Sequence, residues 1–264
     1  MKITANIIKI RTMTKRYDII WLDKTDSINE EAKRNISGLD NLSVLSALEQ
    51  TDGKGQRGNT WSAKAGENLT FSIVLKDFPS IRAIDQFVIS EIAALSVTDF
   101  LHKHGIEARI KWPNDIYVGD KKICGILIEN SLRGLLLSTS IIGIGLNINQ
   151  KNFDVNLPNP TSMALCSAES TELDIRICLE EFMGIFSGYC SRYLNITGGF
   201  TRLRKLYLSQ MWRFGQASRF IDNTDGSEFN GTIRGLSEIG HLVVEKTNEG
   251  ELKEFAFKEI SYII

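Results

Sequence analysis

The chain has 264 residues, of which 42% are hydrophobic and 24% charged, and its net charge at pH 7 is −1. This composition is typical of a folded globular protein and excludes disordered, collagenous and coiled-coil proteins. The balanced charge provides no bulk basic field that would attract DNA or a membrane surface, and no stretch approaches the roughly 18 apolar residues of a membrane span. Residues 1–18 lack the uninterrupted apolar stretch of a signal peptide, so we expect a cytoplasmic protein with no specific DNA partner and no membrane partner.

The first part of the chain predicts two kinds of element, a helix and buried strands. Ser27 followed by Glu30 matches a capping box, which predicts a helix that opens there and extends to about Ile36. In Leu69–Leu75, every second residue is a large apolar one, and Thr70, Ser72 and Val74 stand between them, as in a strand. The strands predicted in this part are Ile19–Leu22, Leu42–Glu49 and Leu69–Leu75.

The middle of the chain predicts a long helix and two hairpins. The helix covers Ile84–His104 and is ended by Gly105. Turns at Gly119-Asp120 and Arg133-Gly134 separate neighbouring strands, so the sheet is at least partly antiparallel. The predicted strands are Ala108–Trp112, Ile116–Val118, Lys122–Glu129 and Leu135–Leu146.

The last part of the chain changes from helices to short strands. Thr161 is expected to cap a short helix, Ile175–Tyr193 to form a longer one, and Gly198-Gly199 to precede another short helical piece. After about Gln210 only short strands and turns remain, which indicates a small β-barrel of roughly 50 residues. The predicted fold class is therefore α+β, with a mixed sheet and helices over residues 1–209 and the barrel over residues 210–264.

The cysteines and histidines do not predict a metal site. The chain has four cysteines and three histidines, without C-x-x-C or H-E-x-x-H spacing. A structural zinc or a disulfide framework needs such spacing or an oxidising compartment. We therefore expect reduced, buried thiols and no metal ion held by protein ligands.

A glycine-rich segment at Asp52–Trp61 contains G-x-G-x-x-G. A dinucleotide-binding fold requires a helix that opens at the last glycine, and residues 59–68 are too short and too polar for one. The segment is better explained as a loop that closes on an anion, because Lys54 and Arg57 stand among glycines whose amides can approach phosphate. A basic surface loop is the alternative.

Three further segments contain candidate functional residues. Lys111 lies between a strand and a Trp-Pro corner, where it is either a solvated charge or a group that stabilises negative charge on a reacting phosphate. The strand Lys122–Glu129 is apolar and belongs to a core, although Gly125 marks a close approach by ligand or backbone. Gly143–Asn149 brings two glycines and an asparagine to a strand end.

Taken in this order, the segments resemble the biotin–protein ligases. The family pattern runs D-S-T-N, Q-T-x-G-R-G-R-x-G-R-x-W, K-W-P-N-D, K-x-x-G-I-L-x-E and G-I-G-x-N-x-N. The matching segments here are Asp26–Asn29, Gln50–Trp61, Lys111–Asp115, Lys122–Glu129 and Gly143–Asn149, and Pro160–Met163 approximates a later A-T-S-L. The departures from the pattern are Ile28 for threonine, Lys54, Gln56 and Asn59 for arginines, and Pro160 for alanine.

The resemblance implies a fold and a two-step reaction. The fold is a core like that of class II aminoacyl-tRNA synthetases and biotinyl/lipoyl ligases, followed by a small SH3-like barrel. Biotin's carboxylate attacks the α-phosphate of ATP, and a lysine of a biotin carboxyl carrier domain then takes biotin from the resulting biotinyl-5′-AMP. The implied substrates and cofactors are biotin, ATP and Mg²⁺ carried with ATP, and the implied partner is a biotin-dependent carboxylase. Because the first catalytic strand begins near residue 19, we expect a monofunctional ligase without the DNA-binding domain of some members, and a homodimer is left open.

The resemblance also assigns roles to residues. The catalytic candidates are Lys111, which bridges the biotin carboxylate and the α-phosphate, and Arg57. The biotin-binding candidates are Ser27, Ile28, Asn29, Gln50, Lys54, Gly55, Gln56, Lys111, Gly125 and Ile126. The candidates for binding ATP or the adenylate are Arg57, Trp61, Asn114 and Asn147. Two alternatives remain, a lipoate or octanoate ligase or transferase with the same core, and a biotin-binding relative that lacks catalysis.

Overall fold

The computed structural model describes residues 17–76, 81–167, 171–194, 199–247 and 250–264, without the side chain of Arg57. Predictions for residues 1–16 and for residues 195–198 lie outside these ranges. Within them, no helix is long and apolar enough to cross a membrane.

A seven-stranded sheet forms the first part of the molecule. Its strands lie in the order β1-β2-β3-β7-β6-β5-β4, with β1 parallel to β2 and every other pair antiparallel. The expected hairpins are present, and Gly119 and Gly134 adopt positive φ in their turns. The strands are β1 (Ile19–Thr25), β2 (Ser43–Gln50), β3 (Leu69–Leu75), β4 (Ala108–Lys111), β5 (Asp115–Val118), β6 (Lys121–Arg133) and β7 (Leu136–Leu146).

Helices cover both faces of this sheet. One face of β2 and β3 packs in the main core with α2, whereas Leu45, Ala47 and Val74 pack with α1 on the other face. Helix α2 is apolar around its circumference, which explains why it is buried between the sheet and the helices α4 and α5. The helices are α1 (Ile28–Arg34), α2 (Phe87–Lys103), α3 (Met163–Cys166), α4 (Ile175–Tyr193) and α5 (Gly199–Ser209).

The second sheet follows α5 and is antiparallel throughout, in the order β11-β10-β9-β8-β12. Among the described residues, no ladder joins β11 to β12, so the expected barrel takes the form of a sheet with two edge strands. Its strands are β8 (Ala217–Asp222), β9 (Ser227–Leu236), β10 (Leu242–Lys246), β11 (Leu252–Phe255) and β12 (Ile260–Ile263).

One predicted helix start is confirmed and one predicted helix cap is wrong. Ser27 occupies the N-cap position of α1, as predicted, although its buried side chain makes no capping hydrogen bond. Helix α3 is capped by Ser162, whose Oγ accepts a hydrogen bond from the amide of Leu165, and not by Thr161. All four cysteines are free, and the prediction of buried thiols is confirmed for Cys124, Cys178 and Cys190 but wrong for Cys166, which is partly exposed.

Candidate active site

A cavity of about 350 Å³ lies on the face of the seven-stranded sheet that also carries α1. It collects residues from segments that are far apart in the chain, including the start of α1, the glycine-rich loop, the Trp-Pro corner and β12. The residues predicted for the site that line it are Ser27, Ile28, Asn29, Gln50, Lys54, Gly55, Gln56, Trp61, Lys111, Asn114, Gly125 and Ile126.

Glycines on β6 and β7 create the floor of the cavity. Gly125 and Gly145 are paired across the two strands, and the indole of Trp61 lies against both. A Cβ added at Gly145 would overlap the indole, so a side chain at this position is incompatible with the observed Trp61. The Trp61 Nε1 is buried and has no hydrogen-bond partner among the described residues.

We expect Gly145→Ala to displace Trp61 from the floor. The new methyl group would overlap the indole, and overpacking of this kind costs roughly 1–3 kcal/mol of stability. Tryptophan fluorescence should change relative to the parent, and the change should vanish in a Trp61→Phe background. Gly235→Ala is the matched control, because a Cβ at this β9 glycine would meet nothing within 4 Å. Equal spectra for Gly145→Ala and the parent would contradict this account of the floor.

Hydrogen bonds fix the polar residues at the start of α1. Asn29 Nδ2 donates to Glu129 Oε2 at 2.9 Å, and its Oδ1 accepts from Ser72 Oγ at 2.5 Å. The amide of Ile28 donates to Gln50 Oε1 at 2.7 Å. These contacts fix the orientation of the Asn29 and Gln50 side chains at one polar end of the cavity, and Asn29 both donates and accepts there.

Asp26 anchors the turn that leads into α1. Its carboxylate accepts two hydrogen bonds from Arg34, at 2.7 and 2.9 Å, and one from the amide of Ser27 at 2.7 Å. Arg34 and the Ser27 amide hold the pKa of Asp26 well below its usual range. Asp26 therefore remains charged and supports the turn from outside the cavity.

The glycine-rich loop folds back on itself. Lys54 and Thr60 form an antiparallel bridge, and the amide of Gly55 donates to Asn59 O at 2.7 Å. Lys54 Nζ lies 3.2 Å from Glu30 Oε1 on α1, and hydrogen bonds from Lys33 and Lys54 lower the pKa of Glu30. An exposed ion pair thus ties the loop to α1. The side chain of Arg57, a predicted catalytic residue, lies outside the described residues.

Lys111 enters the cavity from the end of β4. Its Nζ donates to Tyr117 Oη at 3.1 Å and lies 4.7 Å from the centre of the Tyr117 ring and 5.2 Å from that of Tyr262. Tyr262 belongs to β12, which also brings Ile260 and Ser261 to the cavity. Sequence reasoning missed this contribution of the second sheet.

Lys122 also lines the cavity, together with Lys54 and Lys111, and was not among the predicted site residues. Lys122 Nζ lies 2.7 Å from Asp115 Oδ1 and 5.8 Å from the centre of a Trp61 ring. Lys122 is the first residue of the K-x-x-G-I-L-x-E segment, and this position in the family pattern could have identified it as a site residue. Asn114 is held beside this pair, because its Nδ2 donates to Ile126 O at 3.0 Å.

Of the predicted residues whose side chains are described, Asn147 is the one that does not line the cavity. It is buried, and its Nδ2 donates to Thr161 O at 2.8 Å. Its Oδ1 has no hydrogen-bond partner among the described residues. In this arrangement Asn147 joins the end of β7 to the segment before α3.

Acidic and metal-ligating side chains are not clustered at the site. Among the described residues, no group of three or more His, Cys, Asp and Glu side chains is arranged to hold a metal ion. Asp115 lines the cavity and is paired with Lys122.

Comparison with known proteins identifies similar chains. Residues 20–147 match the model of the biotin/lipoate A/B protein ligase family. The chain is 32% identical to the biotin–[acetyl-CoA-carboxylase] ligase of Paracoccus denitrificans, over 84% of this chain and 92% of that one. It is 29% identical to the bifunctional ligase/repressor BirA of Bacillus subtilis, over 81% of this chain and 64% of that relative.

A solved structure supports the same relationship. The fold is similar to that of a biotin protein ligase from Aquifex aeolicus in complex with biotin and ATP, with a TM-score of 0.75 and 26% sequence identity. The match covers 92% of this chain and 97% of the other. A match over 92% of the chain is too long to be confined to the seven-stranded sheet, so it extends into the C-terminal sheet.

Proposed function

Because the chain belongs to the biotin/lipoate A/B protein ligase family, we propose that it attaches biotin to a lysine of a biotin carboxyl carrier domain at the expense of ATP. The observation that carries this proposal is the convergence of five separated segments on one cavity. Of the predicted site residues whose side chains are described, Asn147 is the one that does not line it.

In the first step, an oxygen of the biotin carboxylate attacks the α-phosphorus of ATP. The bond between that phosphorus and the bridging oxygen breaks, pyrophosphate leaves, and biotinyl-5′-AMP forms. Both reactants are anionic, so fixed cations must offset their repulsion. Lys111 and Lys122 both line the cavity, and we assign Lys111 to the oxygens whose charge changes during the step.

Mg²⁺ is proposed to enter with the ATP phosphates, where it would neutralise charge on the leaving pyrophosphate. Asp115, a carboxylate at the cavity, is already paired with Lys122. This pairing favours a metal ion held by the nucleotide over one held by Asp115.

In the second step, the acceptor lysine attacks the carbonyl carbon of the mixed anhydride. An amide forms and AMP leaves, so the nucleophile belongs to the partner and not to this chain. Ser27, Asn29 and Gln50 are proposed to bind the polar ring of biotin, and Gly125 and Ile126 its tail. Trp61 and Asn114 are proposed to bind the nucleotide. Arg57 and Asn147 are proposed for the same role on the resemblance to the family pattern alone.

The division into a ligase unit over residues 1–209 and a C-terminal unit over residues 210–264 is also a proposal. The interval between α5 and β8, from Ser209 to Ala217, supports it. However, β12 lines the cavity together with the first unit. We therefore propose that the second unit completes the site rather than acting alone.

Incubation of the protein with biotin, MgATP and a biotin carboxyl carrier domain tests the function. We expect biotinylation of the acceptor, detected by a streptavidin blot, and no transfer when the acceptor lysine is replaced by arginine. A parallel reaction with lipoate in place of biotin tests the main alternative. Transfer of lipoate but not biotin, or binding of biotin with no transfer, would contradict the proposal.

The glycine-rich loop is expected to control retention of the adenylate. A charge-assisted hydrogen bond is about twice as strong as a neutral one, so Gln56→Arg should slow release of biotinyl-AMP by roughly threefold to tenfold. Lys54→Ala should speed release, and Glu30→Gln should do so by a smaller factor because the Lys54–Glu30 pair is exposed. Stopped-flow measurement of adenylate dissociation compares these variants with the parent. Equal rates for all four proteins would remove the loop's side chains from this role.

A further inference from the structure

The ammonium of Lys111 lies between two aromatic rings that come from different sheets. Tyr117 belongs to β5 of the first sheet and Tyr262 to β12 of the second, and Lys111 Nζ is within 5.2 Å of both ring centres. We propose that Tyr262 is a positioning residue that holds the Lys111 ammonium at the cavity through the face of its ring. This inference rests on the proposed function, because it concerns the same lysine.

The two rings limit the freedom of a flexible side chain. A lysine carries its charge on a four-carbon stem, and fixing that stem costs up to about 2 kcal/mol of entropy. A cation over an aromatic face is attracted by the negative potential of the ring, and the attraction increases when water is excluded. The Tyr117 hydroxyl also accepts a hydrogen bond from Lys111 Nζ, whereas Tyr262 contacts Lys111 through its ring face.

The contact of Tyr262 with Lys111 runs through the ring and not through the hydroxyl. Its oxygen is buried and has no hydrogen-bond partner among the described residues. The ring itself is fixed by its neighbours, since Trp212 packs edge-on at 5.5 Å and Phe220 lies at 5.3 Å between ring centres. Trp212 also packs against Tyr117 at 5.3 Å between ring centres. One indole therefore supports both rings of the aromatic cage that Tyr117 and Tyr262 form around Lys111.

This arrangement gives the C-terminal sheet a part in the first half-reaction. The sheet carries Tyr262 and Phe220, and Trp212 lies between α5 and β8. Removal of the Tyr262 ring should therefore change the rate of adenylate formation more than the affinity for biotin. A residue with a merely structural role would not produce that separation.

The test compares Tyr262→Leu with Tyr262→Phe in biotin-dependent ATP–pyrophosphate exchange. Tyr262→Leu keeps an apolar side chain but removes the ring, and kcat should fall by roughly threefold to thirtyfold, the range of a cation–π contact, with KM for biotin changed less. Tyr262→Phe keeps the ring and should stay within about twofold of the parent. Thermal unfolding midpoints verify that each variant is folded.

Fluorinated phenylalanines at position 262 provide a series that preserves the shape of the side chain. Each added fluorine withdraws electron density from the ring face, so kcat should fall progressively with fluorine number. This series decides the question even where Tyr262→Leu does not fold. A rate independent of fluorination would overturn the proposal.

An NMR measurement tests the cage without any activity. The ε-methylene signal of Lys111, assigned by its loss in Lys111→Met, should be shifted upfield by the rings in protein labelled with ¹³C-lysine. The shift should persist in Tyr262→Phe and decrease in Tyr262→Leu. If the parent shows no exchange activity but this pattern is present, the proposed function fails and the cage stands. An unchanged signal in Tyr262→Leu overturns the cage.

Discussion

Lys111→Met should lower the rate of biotinyl-AMP formation by roughly 10²–10³-fold, the effect of removing one preorganised donor to a developing charge. The lysine lines the cavity, is half-buried and is held by Tyr117 and Tyr262. Methionine has a similar length and no charge, so the cavity keeps its shape. Pyrophosphate release from biotin and ATP measures this step separately from transfer to the acceptor.

Lys121→Met is the matched control for this experiment. Lys121 is an exposed lysine at the start of β6 and does not line the cavity. Its loss removes the same charge from the protein and should leave pyrophosphate release unchanged. Near-normal release by a folded Lys111→Met protein would exclude Lys111 from the chemical step.

The elements with strong periodicity were predictable from the sequence. The alternation in Leu69–Leu75 gives β3 with the same bounds, and the predicted Ile175–Tyr193 helix is α4. The ends of other elements were less predictable, because more than one residue near an end could begin or terminate the element. Helix α2 begins at Phe87 rather than at Ile84, since a 3₁₀ turn occupies Ala83–Asp85.

The convergence of the site was predictable, but the contacts within it were not. The order of the motifs indicated that Lys111 and the glycine-rich loop share one site. No local pattern in β12 indicates that Tyr262 would reach Lys111, because that contact depends on how the two sheets pack. The Lys122–Asp115 pair likewise depends on the irregular register between β5 and β6, where the pairing shifts between Ile116 and Tyr117.

An ion pair with a buried carboxylate joins α2 to α5 beside the second sheet, and its loss should lower the stability of the protein. Glu91 on α2 is 1% exposed and is bonded to the guanidinium of Arg204 on α5. Arg204 also donates to Ser237 O at 2.6 Å, at the end of β9. Nearby, Trp112 Nε1 donates to Gly240 O at 3.0 Å, so this region joins the Trp-Pro corner of the site to the second sheet.

The pH dependence of this pair follows from the burial of Glu91. Burial raises the pKa of Glu91 to about 7, against the opposing effect of Arg204, from an ordinary value of 4.5. A pKa that is higher in the folded protein than in the unfolded chain means that the folded state binds the proton more tightly. The contribution of Glu91 to stability is therefore complete below about pH 4.5 and decreases as the pH rises to about 7. Comparison with Glu91→Gln isolates this contribution.

Arg204→Met should destabilise the protein by about 3–5 kcal/mol at pH 8, because it leaves a buried carboxylate without its cation. At pH 5 the carboxyl group of Glu91 is largely protonated, and the loss should be smaller, roughly 1–3 kcal/mol for the missing hydrogen bonds. Urea unfolding at both pH values measures the difference. Arg202→Met, at an exposed position on the same helix, serves as the control and should change stability little. An equal loss at both pH values would mean that the charge of Glu91 does not set the cost, and that Arg204 acts through packing on Phe87 instead.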